Sequence, residues 1–213
     1  MSSTSRQMEL AGRPLRDLEV PGIAAANLFK AAWALVVVCE AGTRDAVFAE
    51  VLANRYSPPI DVDQERVRGP CGNTNPVRAK LDAGMAPVEV AARLQEQTLA
   101  AATFGYLGYR TIQKDCTDWP LNSLFGSVVN FQSSRVVGNA EFNPEDAIKA
   151  RMMPPAANPP SRSSALWTIA RLTEDELVVT LNFSSAAFDE ERVHGFAVQA
   201  RDLLERRPTD IAS

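Results

Sequence analysis

One histidine, His194, is all the imidazole this 213-residue sequence contains. Any imidazole general base supplied by the chain must be that residue. Cysteine is also scarce. Cys39, Cys71 and Cys116 stand far apart without a C-x-x-C spacing, so neither a disulfide framework nor a tetrahedral zinc site has its ligands, and a reducing cytoplasm is the expected compartment. Charge of one sign is nearly balanced, with 22 Lys+Arg against 26 Asp+Glu and a formal net charge of -4. That balance speaks against a surface built to neutralise phosphates, and so against nucleic acid as a partner. Long apolar runs are missing as well: the most apolar stretch, Ile23 to Cys39, carries Lys30 in its middle and is shorter than the roughly 20 residues of a membrane span. The polar start, Met1-Ser-Ser-Thr-Ser-Arg, lacks the apolar core of a signal peptide. Neither a membrane nor a secretory route is expected.

What is present is ordinary globular composition, 46% hydrophobic and 23% charged, in a chain long enough for one sizeable core. Ile23 to Cys39 is rich in Ala and Leu and is followed by Gly42 at C-cap distance, which predicts a helix buried on most sides. Ala46 to Leu52 reads as a strand, broken from Asn54 to Pro59. After the turn-forming Gly69-Pro-Cys-Gly72, Asn73 to Leu81 reads as a second strand, which Pro76 confines to an edge or a bulge. Pro87 suits N1 of a helix to about Ala102, with Val90, Ala91, Leu94 and Thr98 on one face and Glu89/Arg93 as an i,i+4 pair. Phe104 to Ile112 is aromatic and glycine-interrupted, and a polar loop is expected from there through Trp119-Pro120. Gly126 to Gln132 is strand-like. Met152 to Ser164 holds four of the 14 prolines and is expected to be a surface loop. Leu166–Leu172 and Leu177–Phe183 form a hairpin around Thr173-Glu-Asp-Glu176, and a last helix starts at Asp189 as N-cap. The expected fold class is α/β: a mixed β-sheet flanked by helices. Residues 1–20 are read as a polar N-terminal segment, 21–206 as the single lobe and 207–213 as a tail.

Candidate chemistry is thin when taken residue by residue. His194 sits about 100° away from the Val193 face of the last helix and reads as a surface histidine. Gly69-Pro-Cys-Gly-Asn73 lacks the Lys-Ser/Thr end of a phosphate loop and reads as a tight turn. Asn182-Phe-Ser184 matches a glycosylation sequon, without a signal peptide to bring it to the modifying enzyme. Cys71 and Cys116 have no neighbours that would lower a thiol pKa and read as small packed residues. No metal site is expected.

Four phrases go further together. Leu28-Phe-Lys-Ala-Ala-Trp-Ala-Leu35 with Asp45-Ala-Val-Phe48 and Ala53-Asn-Arg-Tyr56, then Arg68-Gly-Pro-Cys-Gly-Asn-Thr-Asn-Pro-Val-Arg78, Gly105-Tyr-Leu-Gly-Tyr-Arg-Thr-Ile112 with Asp115-Cys-Thr-Asp-Trp-Pro120, and Phe125-Gly-Ser-Val-Val-Asn-Phe-Gln132 follow one another in this order. From about Pro21 to Leu204 the chain resembles the C-terminal half, or lobe, of a fungal-type nonribosomal peptide synthetase condensation domain, the fold shared with chloramphenicol acetyltransferase.

The resemblance implies a V of two lobes with a substrate tunnel between them. In it an acyl group passes from a phosphopantetheine-linked thioester on a carrier protein to an amine, and no cofactor is bound directly. The family's His-His-x-x-x-Asp-Gly motif belongs to the other lobe and occurs nowhere in this sequence. No catalytic residue is assigned to this chain, and the chain alone is expected to be inactive. Asn73 corresponds to the motif asparagine near the reaction centre, and its own residue type leaves a turn-capping role equally open. Ser127, Asn130 and Gln132 are the candidate substrate contacts on the tunnel wall; Gly69, Arg78, Asp118 and Trp119 are structural motif residues. The implied partners are the N-terminal lobe and a carrier protein. A homodimer is the expectation for the chain on its own, since a lobe without its partner leaves apolar surface uncovered. The end of the chain soon after the last helix suggests the terminal, peptide-cyclising class. Two rivals stay open: a non-catalytic module that docks a carrier protein or partner subunit, and an acetyltransferase-like oligomer that uses His194 across an interface.

Overall fold

The computed structural model describes residues 5–11, 20–53, 71–133, 164–172 and 176–205. Its centre is α1, Ala25–Ala41, an Ala-rich helix that ends where Gly42 turns left-handed at φ 61° and offers its N–H to the last-turn carbonyls. Phe29, Ala31, Trp33, Ala34 and Val36 are all buried. This helix is apolar nearly all round because it lies between the sheet and two further helices: α2, Pro87–Ala101, and α4, Glu190–Glu205. α2 starts with Pro87 in its first turn, and Glu89 reaches back to accept the Ala86 N–H at 2.8 Å. Asp189 caps α4 by accepting the Arg192 N–H at 2.7 Å. Val193, Phe196, Ala197 and Ala200 face inward, while His194 is exposed.

Six strands make one mixed sheet, in the order β1-β6-β5-β4-β2-β3. They are β1 (Ser5–Ala11), β2 (Asp45–Leu52), β3 (Asn73–Lys80), β4 (Phe125–Ser133), β5 (Ser164–Leu172) and β6 (Leu177–Ser184). β4 runs parallel to both β2 and β5, and the other pairs are antiparallel. β3 is an edge strand, as Pro76 requires. Alternation sends Phe48, Val77, Val129, Ala170 and Leu181 to the helices. A smaller apolar cluster on the other side joins Ala49, Phe125 and Val128 with Tyr109, Trp119 and Trp167.

Several expectations are corrected. The segment read as a polar lead-in contains β1, paired with β6 from Ser5↔Ser184 to Ala11↔Val178. Backbone pairing at a sheet edge needs no continuous apolar pattern, and Met8 packs against the core cluster. The polar loop expected after Ile112 is partly a helix, α3, Tyr109–Cys116, preceded by the 3-10 turn Ala102–Phe104. Glu89 and Arg93 do not pair: Glu89 is engaged with the Ala86 N–H, and Arg93 reaches Asp82 at 2.7 Å. Cys116 is exposed and Cys71 half-buried, so neither is a packed core residue. Asn182 of the sequon is 2% exposed inside β6, out of reach of any modifying enzyme. Gly69, the proline-rich stretch 152–163 and the hairpin turn 173–175 lie outside the described residues.

Candidate functional site

The motif residues are spread along the β2–β3 ladder and the segment after α2. Asn73 opens β3, and its Nδ2 donates to the carbonyls of Gly105 at 2.7 Å and Leu107 at 2.6 Å. Its Oδ1 accepts the Thr74 N–H at 2.9 Å. One amide thereby ties the edge strand to the turn between α2 and α3, which is the capping role that an asparagine's paired donor and acceptor allow. Asn75 is buried opposite Glu50. Arg78 grips Asp45 with two hydrogen bonds, Nε at 2.8 Å and Nη2 at 2.5 Å. The hydrogen bond from Arg78 is the main cause that holds the Asp45 carboxyl below its ordinary value. This pair closes the far end of the β2–β3 ladder, a structural role.

Asp118 is exposed, and Trp119 packs edge-on against Phe125 at 6.1 Å between centroids. The sequence reading missed the residue that organises this region, Gln113. It is 2% exposed. Its Nε2 donates to the Pro120 carbonyl at 2.8 Å, and its Oε1 accepts the Asn122 N–H at 3.0 Å, with Asn122 left-handed at φ 71°. Tyr109 adds a hydrogen bond to the Ser123 carbonyl at 2.6 Å, and burial raises its phenol pKa. A polar residue on a short helix carries no sequence signal of burial, so only a resemblance could have marked it.

β4 divides its three candidates between two faces. Asn130 and Gln132 lie on the face away from the core helices, half-buried, opposite Ile169 and Arg171 of β5. Ser127 does not join them. It is 7% exposed on the helix face and accepts the Trp33 Nε1 hydrogen at 2.9 Å. Odd and even positions of a strand point to opposite sides, so Ser127 faces α1 while Asn130 and Gln132 face away from it.

Lys30 and Thr98 are visible in the sequence on their helices, but nothing there joins them into the strongest polar cluster. Lys30, 3% exposed on α1, donates to Glu50 Oε2 at 2.5 Å and to Thr98 Oγ1 at 2.8 Å. Thr98 in turn donates to Asn27 Oδ1 at 3.2 Å, and Asn27 Nδ2 donates to Gln95 Oε1. These residues border a cavity of about 300 Å³ at the same sheet end as Asn73, which is paired with the cavity residue Leu52. Thr98 faces inward as the helix period predicts, but as the partner of an ammonium rather than of apolar side chains. Among the described residues there is no cluster of three metal-ligating side chains, and no helix is long and apolar enough to cross a membrane.

Comparison with known proteins adds a family, two relatives and a solved structure. The family model described as Condensation domain matches residues 18–211. Enniatin synthetase of Fusarium oxysporum is 35% identical over 123 residues, 58% of this chain and 4% of that protein. Bassianolide nonribosomal cyclodepsipeptide synthetase of Beauveria bassiana is 35% identical over 127 residues, 59% and 4% respectively. The solved first condensation domain of the calcium-dependent antibiotic synthetase, in complex with a substrate analogue, superposes with a TM-score of 0.68 at 14% identity. That likeness, which shows the fold, covers 100% of this chain and 46% of the solved one. The chain thus spans under half of that solved chain and a small fraction of the curated relatives.

Proposed function

The chain belongs to the condensation-domain family, and from that premise we propose that it is the C-terminal lobe of a fungal-type nonribosomal peptide synthetase condensation domain, of the terminal, peptide-cyclising class. Coverage is the observation that carries this reading: the family match runs through residues 18–211, while the chain accounts for 46% of a solved condensation domain. The only histidine is exposed on α4, with no second histidine beside it. A base for amine attack would come from the complementary lobe, which carries the doubled-histidine motif.

In this reading the chain binds and positions. Asn130 and Gln132 offer amide donors and acceptors on the half-exposed wall, with the Arg171 guanidinium beside them. The substrate is an acyl or peptidyl thioester on the phosphopantetheine arm of a carrier protein, and the acceptor is an amine. Asn73 acts through the turn it holds rather than by proton transfer. Holding reactants in register is a large part of such catalysis, because small misplacements are costly. The proposed compartment is the cytoplasm.

The test is association with the complementary lobe. Titrating the chain with a separately produced N-terminal condensation lobe should give a saturable 1:1 complex in calorimetry. Failure to bind at any accessible concentration would count against the lobe reading. A second reading, a non-catalytic module that docks a carrier protein or partner subunit, is favoured by the exposure of Leu99, Phe104, Tyr106, Leu121 and Leu124, each 58–67% accessible. The same side chains favour a homodimer for the isolated chain. Light scattering over a concentration series should show the dimer mass, and a strictly monomeric mass at high concentration would remove the homodimer.

A further inference from the structure

The cavity beside α1 has walls of two kinds. Val51 and Phe131 contribute to an apolar side, and Asn27, Lys30, Glu50 and Gln95 to a polar one. About 300 Å³ is the volume of roughly ten waters and the lower end of small-ligand sites. Three of its polar groups are deeply held, Asn27 and Lys30 at 3% exposed and Glu50 at 8%, while Gln95 is half-buried. Side chains that far from solvent need partners for their polar atoms, and here the protein supplies only some of them.

An ammonium has three hydrogens, and Lys30 gives two of them, to Glu50 Oε2 and Thr98 Oγ1. Gln95 Oε1 already accepts from Asn27 Nδ2 and the Ala24 N–H. The remaining capacity is one Lys30 hydrogen, the Gln95 Nε2 hydrogens and Glu50 Oε1, none of which has a partner among the described residues. Among the described residues the sealed, unpaired side-chain atoms are Thr168 Oγ1 and Asn182 Oδ1. Glu50 Oε1 and Gln95 Nε2 therefore open onto the space they border.

Charge then selects the ligand. Glu50 at 2.5 Å already neutralises Lys30. An incoming carboxylate would lie against Glu50 and an incoming ammonium against Lys30, and each repulsion is felt strongly where water is scarce. A neutral group that carries both a C=O and an N–H avoids this, because it uses the leftover donors and the leftover acceptor together. We propose that this cavity binds the amide of a neutral N-acylated amino acid: the carbonyl on Lys30 and Gln95, the N–H on Glu50, and the amino-acid side chain against Val51 and Phe131. The site stands whether or not the chain is half of an acyl-transfer enzyme.

The test is a nuclear magnetic resonance titration of the 15N-labelled chain with N-acetyl-L-valine methylamide. Shifts are expected at the backbone amide of Val51 and the side-chain amides of Asn27 and Gln95. N-acetyl-L-valine, a carboxylate, and L-valine methylamide, an ammonium, should bind at least about tenfold more weakly, the equivalent of one adverse charge contact. Gln95→Leu should weaken the neutral probe about fivefold, as the loss of one neutral hydrogen bond does, and should lower the melting temperature as well, because Asn27 Nδ2 and the Ala24 N–H lose their acceptor. Should that variant fail to fold, the three probes on the parent chain decide alone. The proposal is overturned if the neutral probe causes no shifts up to its solubility, if the shifts fall away from these residues, or if a charged probe binds as tightly.

Discussion

Removal of one partner of the Lys30–Glu50 pair is the perturbation whose size the structure determines best. The two side chains are 4% and 10% exposed, with Nζ 2.5 Å from Oε2. At an effective dielectric of about 20, opposite charges at that separation attract by about 6–7 kcal/mol, and desolvation of both groups offsets most of it. Glu50→Leu leaves the desolvation of Lys30 in place and deletes the attraction. Lys30 is left with Thr98 as its one partner, and a cost of about 3–5 kcal/mol is expected. For a chain of this length that corresponds to a drop of roughly 6–20 °C in Tm. Lys30→Met alone should cost a similar amount, whereas Lys30→Met with Glu50→Leu replaces both charges by apolar groups of comparable volume and should return to within about 1–2 kcal/mol of the parent. Urea unfolding of the four species, followed by tryptophan fluorescence, gives the cycle. If each single variant lost less than about 1 kcal/mol and the double variant lost their sum, the pair would be solvated in solution and the reasoning would fail.

Three further outcomes follow from the same geometry. Ser127→Ala should leave the Trp33 indole N–H buried without an acceptor, at a cost of about 1–3 kcal/mol in urea unfolding, whereas Asn130→Ala on the opposite face should be within about 0.5 kcal/mol of the parent. Asn73→Ala removes the donor that serves the Gly105 and Leu107 carbonyls, so about 1–3 kcal/mol should be lost, together with faster hydrogen exchange between α2 and α3. Asp45 has a folded pKa lowered from 3.8, so its contribution to stability is present above that ordinary value and is lost as pH falls through the lowered one; Asp45→Asn should flatten that acid portion of the Tm–pH curve and leave the neutral portion nearly parallel to the parent.

Much of this fold can be read from the chain because its local signals agree with its tertiary structure. Gly42, Pro87 and Asp189 mark helix ends by backbone chemistry that holds in any context, and Pro76 announces an edge. β1 was hidden because an edge strand needs only its backbone, and α3 because its inward residue is a glutamine. The candidate site was legible by another route. Asn73 and Arg78 stand out through the order of motifs, yet the motif says nothing about which carbonyls an asparagine holds. Ser127, Asn130 and Gln132 look alike in sequence, and only the pleat puts Ser127 on the helix face and the other two on the opposite one. Lys30 was visible as the single charge in the apolar stretch from Ile23 to Cys39. Its partner Glu50 lies 20 residues away on a strand, and no local periodicity connects the two.

The most direct measurement is a single-turnover acyl-transfer assay with the purified chain, the complementary lobe bearing the doubled-histidine motif, and a carrier protein loaded with a peptidyl thioester. Loss of the thioester and release of the amide or cyclised product are followed by mass spectrometry. The account predicts no turnover from either lobe alone, turnover from the two together, and no change on His194→Ala. Turnover by this chain alone, abolished by His194→Ala, would contradict it.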